Sequence, residues 1–449
     1  MPFDASQPGK KEQDGISASG EWMLWSAALV VGVSLSAYGI VKSVALWRVL
    51  PIADGWASVS FYQYWLEGRS GLEALIMPHN EHRIFVTRLA NLLDFIVFDG
   101  VPKLSFGLLL LGHIMLGVVL GALLSCGATR RMQLLASVIG IAFFVSPLQI
   151  ENLGNFFQIQ WFASALLAVG TFYPLAIMSR YSFGVRWLLL GMAMFCNVLG
   201  LFTSANGLVV VVLASLMALV MTIRRYERLA FLVASLCSIA FFAQSIFSGN
   251  TLARPVAGFA GIIEFVTYFA ACLGQIIPTV TGAELAGVAG IIFSSVLILY
   301  WIGQCIEDRY PDAVTATLIM MMLASLGTAA MTAFGRAGFG IEQAMSSRYA
   351  TWSLVFWFSM FAVVSRTWRR NWLRNAGYVG LAATLLLSYI VGAARVPAYQ
   401  ERAEVIDALQ HDLRAGSFPE KMVWVYPNPK SLIPILDFMR SRSLSIFSH

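Results

Sequence analysis

The chain has 449 residues, 58% of them hydrophobic and 12% charged, with a formal net charge of +6. Soluble domains carry about a quarter of charged residues, so an ordinary water-soluble globule is excluded. Cys126, Cys196, Cys237, Cys272 and Cys305 all fall in apolar or short connecting stretches, and neither a disulfide framework nor a CxxC, P-loop or HExxH motif is legible.

In chain order, residues 1–21 are polar, lack the apolar core and cleavage site of a signal peptide, and read as a short disordered cytosolic tail. A bilayer crossing takes roughly 20 mostly apolar residues. Eleven stretches suit it: 22–46, 104–125, 133–149, 159–178, 186–203, 206–223, 229–248, 285–304, 313–334, 349–366 and 375–394. The fold class expected is an all-α polytopic integral membrane protein, with a membrane domain over 22–394.

Basic loops stay on the cytoplasmic side. A cytoplasmic N-terminus puts Arg130, Arg131, Arg180, Arg186, Arg224, Arg225, Arg228, Arg309, Arg366, Arg369, Arg370 and Arg374 inside. The short outer loops then hold only Arg254, Arg336 and Arg348. This asymmetry requires that 259–280 not cross fully, so the segment, with Glu264, Gln275 and Pro278, is expected to be re-entrant or interfacial. The positive charge therefore reflects topology, and no nucleic-acid partner is implied. Residues 395–449 are expected outside, as a small α/β region: a helix over "AYQERAEVIDALQHDLRAG", a strand at "KMVWVY", then a second helix after "PNP". The region suits a lid or acceptor platform.

The first outer loop, 47–103, is unusually rich in ionisable and aromatic residues. "ASVSFYQYWLE", 57–67, suits a helix lying in the interface, where Tyr and Trp are favoured. After the break at "MPHN", Asn80 is a candidate cap for a helix over 81–98. On it Arg83, Thr87, Asn91 and Asp94 form one polar stripe opposite Phe85, Leu89, Leu92 and Ile96. In the second outer loop, "SPLQIENLGNFFQIQW", Glu151 is the sole acidic residue and no basic residue is present.

An Asp shortly after the first span, an aromatic helix, a Gly-rich turn and a His-initiated second helix resemble the first lumenal loop of the GT-C glycosyltransferase superfamily. The branch that is similar contains the protein O-mannosyltransferases and lipid A aminoarabinose transferases, where an Asp-Glu pair opens the loop and a His-Pro-Pro comes later. Here the counterparts are Asp54-Gly55 and His79-Asn80-Glu81, so the likeness holds for the superfamily more than for the branch. It covers roughly residues 22–160, with an echo at "SSRYATW".

What the resemblance implies is a GT-C-like bundle that takes a sugar from a polyprenyl-phosphate-linked donor to a lipid, glycan or protein acceptor at the outer face of the cytoplasmic membrane. Such a transfer needs a carboxylate to accept the hydroxyl proton and positive charge to stabilise the departing phosphate. The resemblance places the catalytic base at Asp54, and a second acidic site at Glu151. The alternatives are that Asp54 caps the following helix and that Glu151 sits in a plain polar loop.

For the phosphate, Arg is suited by its two-pronged geometry. Arg83, Arg336 and Arg348 face outward in the topology above. Arg348 and Tyr349 resemble an Arg-Tyr near a late span of related enzymes, while anchoring of helix ends to lipid headgroups is the bland reading of these arginines. His79, Glu81 and His82 could contact substrate, help to hold a divalent metal with Asp54 and Glu151, or simply solvate a helix start. Some GT-C enzymes use a metal and others do not, so the cofactor stays open. His113, in mid-span, is expected to be a neutral histidine hydrogen-bonded to a neighbouring helix.

Two other outer-face or membrane classes compete. A flippase or transporter would carry intramembrane charges in several spans and broken helices. An O-antigen polymerase or ligase would carry a large, arginine-rich late outer loop, whereas here the largest internal loop is the first. A non-catalytic receptor or assembly protein is the remaining class.

Overall fold

The computed structural model describes residues 18–69, 71–79, 83–221, 223–248, 258–307, 309–368 and 370–448. Asn80, Glu81, His82, Arg254, Arg369 and nearly all of the expected N-terminal tail lie outside the described residues.

The chain is helical throughout the described residues: α1 Ala18–Leu46, α2 Trp56–Leu66, α3 Leu72–Ile76, α4 Phe85–Val97, α5 Lys103–Leu124, α6 Arg130–Phe144, α7 Ile150–Gly154, α8 Ile159–Ile177 and α9 Phe183–Thr203. After these come α10 Gly207–Val220, α11 Arg225–Ser248, α12 Gly258–Gly274, α13 Val280–Ile306, α14 Ala313–Arg336, α15 Ala350–Thr367, α16 Asn371–Arg414 and α17 Ile433–Ser441. Among the described residues nine helices are long and apolar enough to cross a membrane, which makes this an integral membrane protein. The expected stretches 206–223 and 349–366 are the ones outside that set. α10 has 14 residues and reaches about 21 Å at ~1.5 Å per residue. α15 carries Thr, Ser and Arg among its apolar residues, which its position permits: from Ala350 to Met360 every residue is buried by neighbouring helices.

Small residues set the helix spacing. A Cβ added at Gly140 of α6 would lie 2.1 Å from the carbonyl oxygen of Gly117 in α5. One added at Gly287 of α13 would lie 1.9 Å from that of Ala270 in α12. Lipid chains give no hydrophobic drive between helices, so such close backbone approach supplies the packing. The central seam also uses hydroxyls: Tyr389 of α16 donates to the carbonyls of Leu35, at 2.9 Å, and Ala142, at 3.0 Å. His113 places Nδ1 2.8 Å from the Leu109 carbonyl of its own helix, and its ring lies 5.2 Å from that of Phe162 in α8.

One end of the bundle is rich in arginine. There Arg366 reaches Asp312 at 3.3 Å and the carbonyls of Leu123, Leu124 and Cys126 at the end of α5. Arg186 and Glu227, both buried, pair through Nε to Oε1 at 2.9 Å and through Nη2 to Oε2. The opposite end carries the first loop, the 146–158 loop, the 337–349 loop and the C-terminal region.

That region differs from the expectation. No strand forms at "KMVWVY": residues Glu420–Trp424 make a 3-10 turn. Met422 and Val425 are buried while Val423 and Trp424 are exposed, a helical spacing instead of alternation. With no strand among the described residues to pair with, the N–H groups close locally, as Met422 does on Pro419 at 3.1 Å. The last span and the first tail helix are one rod, α16, 44 residues and about 66 Å long at ~1.5 Å per residue. It passes Pro397 without breaking, on an exposed side. About half of it therefore projects past a hydrocarbon core of about 30 Å.

Removing one partner of a buried ion pair costs about 3–5 kcal/mol, because the other charge is left uncompensated. Glu227→Ala should therefore lower the melting temperature of detergent-purified protein markedly, and Arg186→Met with Glu227→Leu should recover most of the loss. A Glu227→Ala protein that melts with wild type would remove this pair from the stability of the bundle.

Candidate functional site at the loop end of the bundle

The first loop folds by turning its polar residues inward. On α4, Arg83 just before it, Thr87, Arg88, Asn91 and Asp94 are all buried, whereas Leu89, Leu93, Ile96 and Val97 are exposed. This is the reverse of a soluble amphipathic helix and fits a helix with its apolar side to lipid. Asp94 and Asn91 are matched by partners on neighbouring elements. Asp94 accepts from the N–H of Leu104 at 2.7 Å and of Ser105 at 2.9 Å, capping α5. Asn91 donates to Ser58 at 2.7 Å and accepts from the Ser105 hydroxyl at 2.7 Å.

Arg83 and Arg88 hold the segment before His79 by its carbonyls. Arg83 donates to Ile76 and lies 4.8 Å from the Phe241 ring centre. Arg88 donates to Leu75 at 3.3 Å, to Pro78 at 3.1 Å and to Met77. Burial, and then the neighbouring Arg83 charge, push the Arg88 guanidinium down to about 10, so it stays charged near neutrality. α4 thus begins at Phe85, with the buried Ile84 at its cap position, and not at 81. Arg83 and Arg88 are drawn toward the 75–78 carbonyls.

Asp54 sits in a 3-10 turn, Ala53–Gly55, between α1 and α2. Its carboxylate caps neither this turn nor α2, is exposed, and makes no hydrogen bond or ion pair with the described residues. Ala53 is in the left-handed region with φ 49, a costly conformation for a residue with a Cβ. The tail holds it there: the Ala53 N–H donates to the Val425 carbonyl at 2.8 Å.

Two cavities meet at Asp54. The larger, about 520 Å³, lies between α2, the 77–79 segment and the tail, and includes Ser58, Ser60, Tyr64, His79, Arg88, Phe157, Tyr426 and Ser431. The smaller, about 80 Å³, lies between α1, α7 and α16 and includes Glu151, Asn155, Gln158, Arg348, Tyr399 and Arg402.

The smaller cavity is built on two interlocked loops. Glu151 takes Arg348 Nη2 at 3.3 Å and the Ser346 hydroxyl at 3.0 Å, and Arg348 Nε donates to the same hydroxyl oxygen at 3.0 Å. Ser347 receives the Glu151 N–H at 3.1 Å and donates to the Leu148 carbonyl at 2.8 Å. Asn152 donates to the Arg348 carbonyl at 3.0 Å and to Thr351 at 2.9 Å. Burial works against the Arg348 charge, but the Glu151 carboxylate, with Tyr349 and Asp54, more than compensates and raises its pKa, so the guanidinium is charged at any physiological pH.

The residues singled out from the sequence thus divide. Asp54, Glu151 and Arg348 share one cavity, and Asp54 and His79 share the other. Tyr349 turns inward, its ring 5.7 Å from that of Trp161. Arg336 lies 5.7 Å from the Phe339 ring centre and lines neither cavity. Among the described residues no three His, Cys, Asp or Glu side chains come together. Glu151 is engaged by Arg348 and Ser346, so the described residues make no metal site; His82, the remaining metal candidate, lies outside them. Arg88, Tyr399, Arg402 and Tyr426 are among the lining residues that sequence reasoning missed. A signal for two of them exists in the helical repeat Arg395, Tyr399, Arg402, Ile406, which puts a basic and aromatic line on the same face as a core residue.

No protein-family model matches the chain, and no curated protein matches it. Among solved structures it is similar to the archaeal oligosaccharyltransferase AglB from Archaeoglobus fulgidus, in complex with an inhibitory peptide and a dolichol-phosphate. That similarity has a TM-score of 0.43 and 14% identity over 90% of this chain and 59% of that one. It is also similar to an Archaeoglobus fulgidus oligosaccharyltransferase in the apo form, with a TM-score of 0.41 and 14% identity over 87% and 58%. The chain spans less than two thirds of the length of either.

Proposed function

We propose that the chain is a membrane glycosyltransferase that moves a sugar from a polyprenyl-phosphate donor to an acceptor hydroxyl. The observation that supports this best is the exposed, unengaged Asp54 carboxylate on the wall common to the two cavities. In this reading the acceptor enters the larger cavity and the donor phosphate meets Arg348 and Arg402 in the smaller. The acceptor oxygen attacks the anomeric carbon, Asp54 takes the hydroxyl proton, and the carbon–oxygen bond to phosphate breaks with its electron pair on the leaving phosphate. Arg348 and Arg402 stabilise that charge, and Glu151 is a positioning residue that aims Arg348. No step runs through a metal.

The same reading places the loop end on the outer face and the arginine-rich end in the cytoplasm. Eleven crossings then alternate correctly, with α10 and α15 among them. In this reading 259–280 adds no crossing; what supports it is that Phe241 of α11 lies beside Arg83 of the first loop and Tyr268 of α12 bonds Gln343 of the 337–349 loop at 3.2 Å. In a cysteine-free background, a cysteine at Ser417 should react with an impermeant thiol reagent from outside, and one at Asn371, at the other end of α16, should not. Reaction at Asn371 from outside would reverse the assignment of both faces.

Asp54→Asn keeps the size of the side chain but cannot accept the proton. Donor binding should persist while transfer slows by roughly a hundredfold or more, the scale of losing a general base. Near-normal transfer by this variant would take Asp54 out of the mechanism.

Arg348→Lys keeps the charge beside Glu151 and loses the two-pronged geometry, so donor use should fall far more than for Arg442→Lys on the surface. Equal donor kinetics for the two variants would take Arg348 out of the phosphate site.

A further inference from the structure

The larger cavity is walled on one side by a part of the chain that does not move independently of it. Met422, Val425, Leu432, Leu436 and Met439 of the tail share one hydrophobic core with Trp56 and Val59 of α2 and Phe95 of α4. The tail is therefore a fixed wall, and the Tyr426 and Ser431 it presents to the cavity are held in place before any ligand arrives.

The lining chemistry narrows what fits. Tyr64, Tyr426 and Phe157 offer aromatic faces, while Ser60, His79 and the hydroxyl oxygen of Ser431, whose own hydrogen goes to the Asn428 carbonyl at 2.7 Å, offer small polar groups beside them. The guanidinium that reaches this space, Arg88, is committed to the carbonyls of Leu75, Met77 and Pro78. Arg69 lies over the Tyr64 ring, 5.2 Å from its centre, and among the described lining residues no uncommitted cation is left for a phosphorylated or acidic acceptor. A lipid chain needs a continuous apolar groove, which these hydroxyls interrupt. A peptide would find no strand edge among the described residues to extend. A sugar ring presents C–H faces for the aromatics and hydroxyls for the serines and the histidine. The volume, about 520 Å³, lies in the range of specific ligand clefts, about 300–1,000 Å³, and leaves room for more than one ring.

We infer that the larger cavity is an acceptor site for a neutral oligosaccharide, with the tail residues Tyr426 and Ser431 setting its specificity. This rests on the glycosyltransferase reading above and names the acceptor class for that site.

The test is binding, which needs no transfer and so separates this inference from the mechanism. Detergent-purified full-length protein is applied to an array carrying neutral oligosaccharides, acidic oligosaccharides, serine- and threonine-containing peptides and phospholipid headgroups. Wild type and Asp54→Asn should both be retained on neutral oligosaccharides. Tyr426→Ala should bind them roughly tenfold more weakly or worse, the scale of one lost aromatic contact, and Tyr426→Phe should stay close to wild type. Ser431→Leu, at an exposed position outside the tail core, should also weaken binding without lowering the melting temperature. Retention on peptides, acidic glycans or headgroups in place of neutral glycans overturns the inference. So does retention unchanged in both Tyr426→Ala and Ser431→Leu, or no retention on any glycan. Slow transfer by Asp54→Asn with normal glycan retention supports both readings, whereas normal transfer with glycan retention lost in Tyr426→Ala leaves this one standing alone.

Discussion

The loop end of the molecule depends on one polar interlock, between residues 146–152 and residues 346–351. Leu148, Gln149, Asn152, Ser347 and Thr351 are buried, and most of the hydrogen bonds cross between segments about two hundred residues apart in sequence, as from Asn152 to the Arg348 carbonyl. A buried polar group without a partner costs as much as a lost hydrogen bond or more, so the two loops are bound to a single register. That register fixes Arg348 against Glu151, and Ser146, through its 2.9 Å bond to Ser388, extends the same order to α16. Without it the guanidinium would have no defined position relative to Asp54.

A second constraint comes from the membrane surface. A helix with hydrocarbon against one side turns its polar groups toward protein, because lipid chains offer them no partners. α4 does so, and its buried asparagine, aspartate and arginines become connectors to α2, to the start of α5 and to the 75–78 segment. Arg83, a phosphate-ligand candidate in the sequence, is used in this way together with Arg88. The two shape the loop that carries His79, and their charge is taken up by backbone carbonyls.

The third element is the tail. α16 leaves the membrane as an unbroken rod, tied to the end of α1 by Arg48 and Asp407 at 2.7 Å. Beyond Arg414 the chain folds back onto α2 and α4. The left-handed Ala53 is held by a bond from this returning segment, so the turn bearing Asp54 is shaped by residues from the far end of the chain. Backbone in a sparsely populated region persists only where its surroundings over-determine it, and here the surroundings are the tail.

The sequence by itself determined the nine membrane-length helices found among the described residues, their order and their membrane character, because a bilayer imposes an apolar run of fixed length that is visible residue by residue. It also determined that charge gathers in the loops, and that Asp54, Glu151 and Arg348 stand out among them. Only the tertiary structure decided which of these meet. Arg348 and Glu151 come together through a loop contact with no local signal, while Arg336 and Tyr349, in the same stretch, turn elsewhere. The expected strand at "KMVWVY" failed because a strand needs an edge to pair with, and no composition rule supplies one. Arg402 and Tyr426 escaped notice for the opposite reason: Arg402 lies on an ordinary-looking amphipathic helix and lines a cavity only where α16 packs beside the turn bearing Asp54, and Tyr426 becomes a lining residue only when the tail folds back over the first loop.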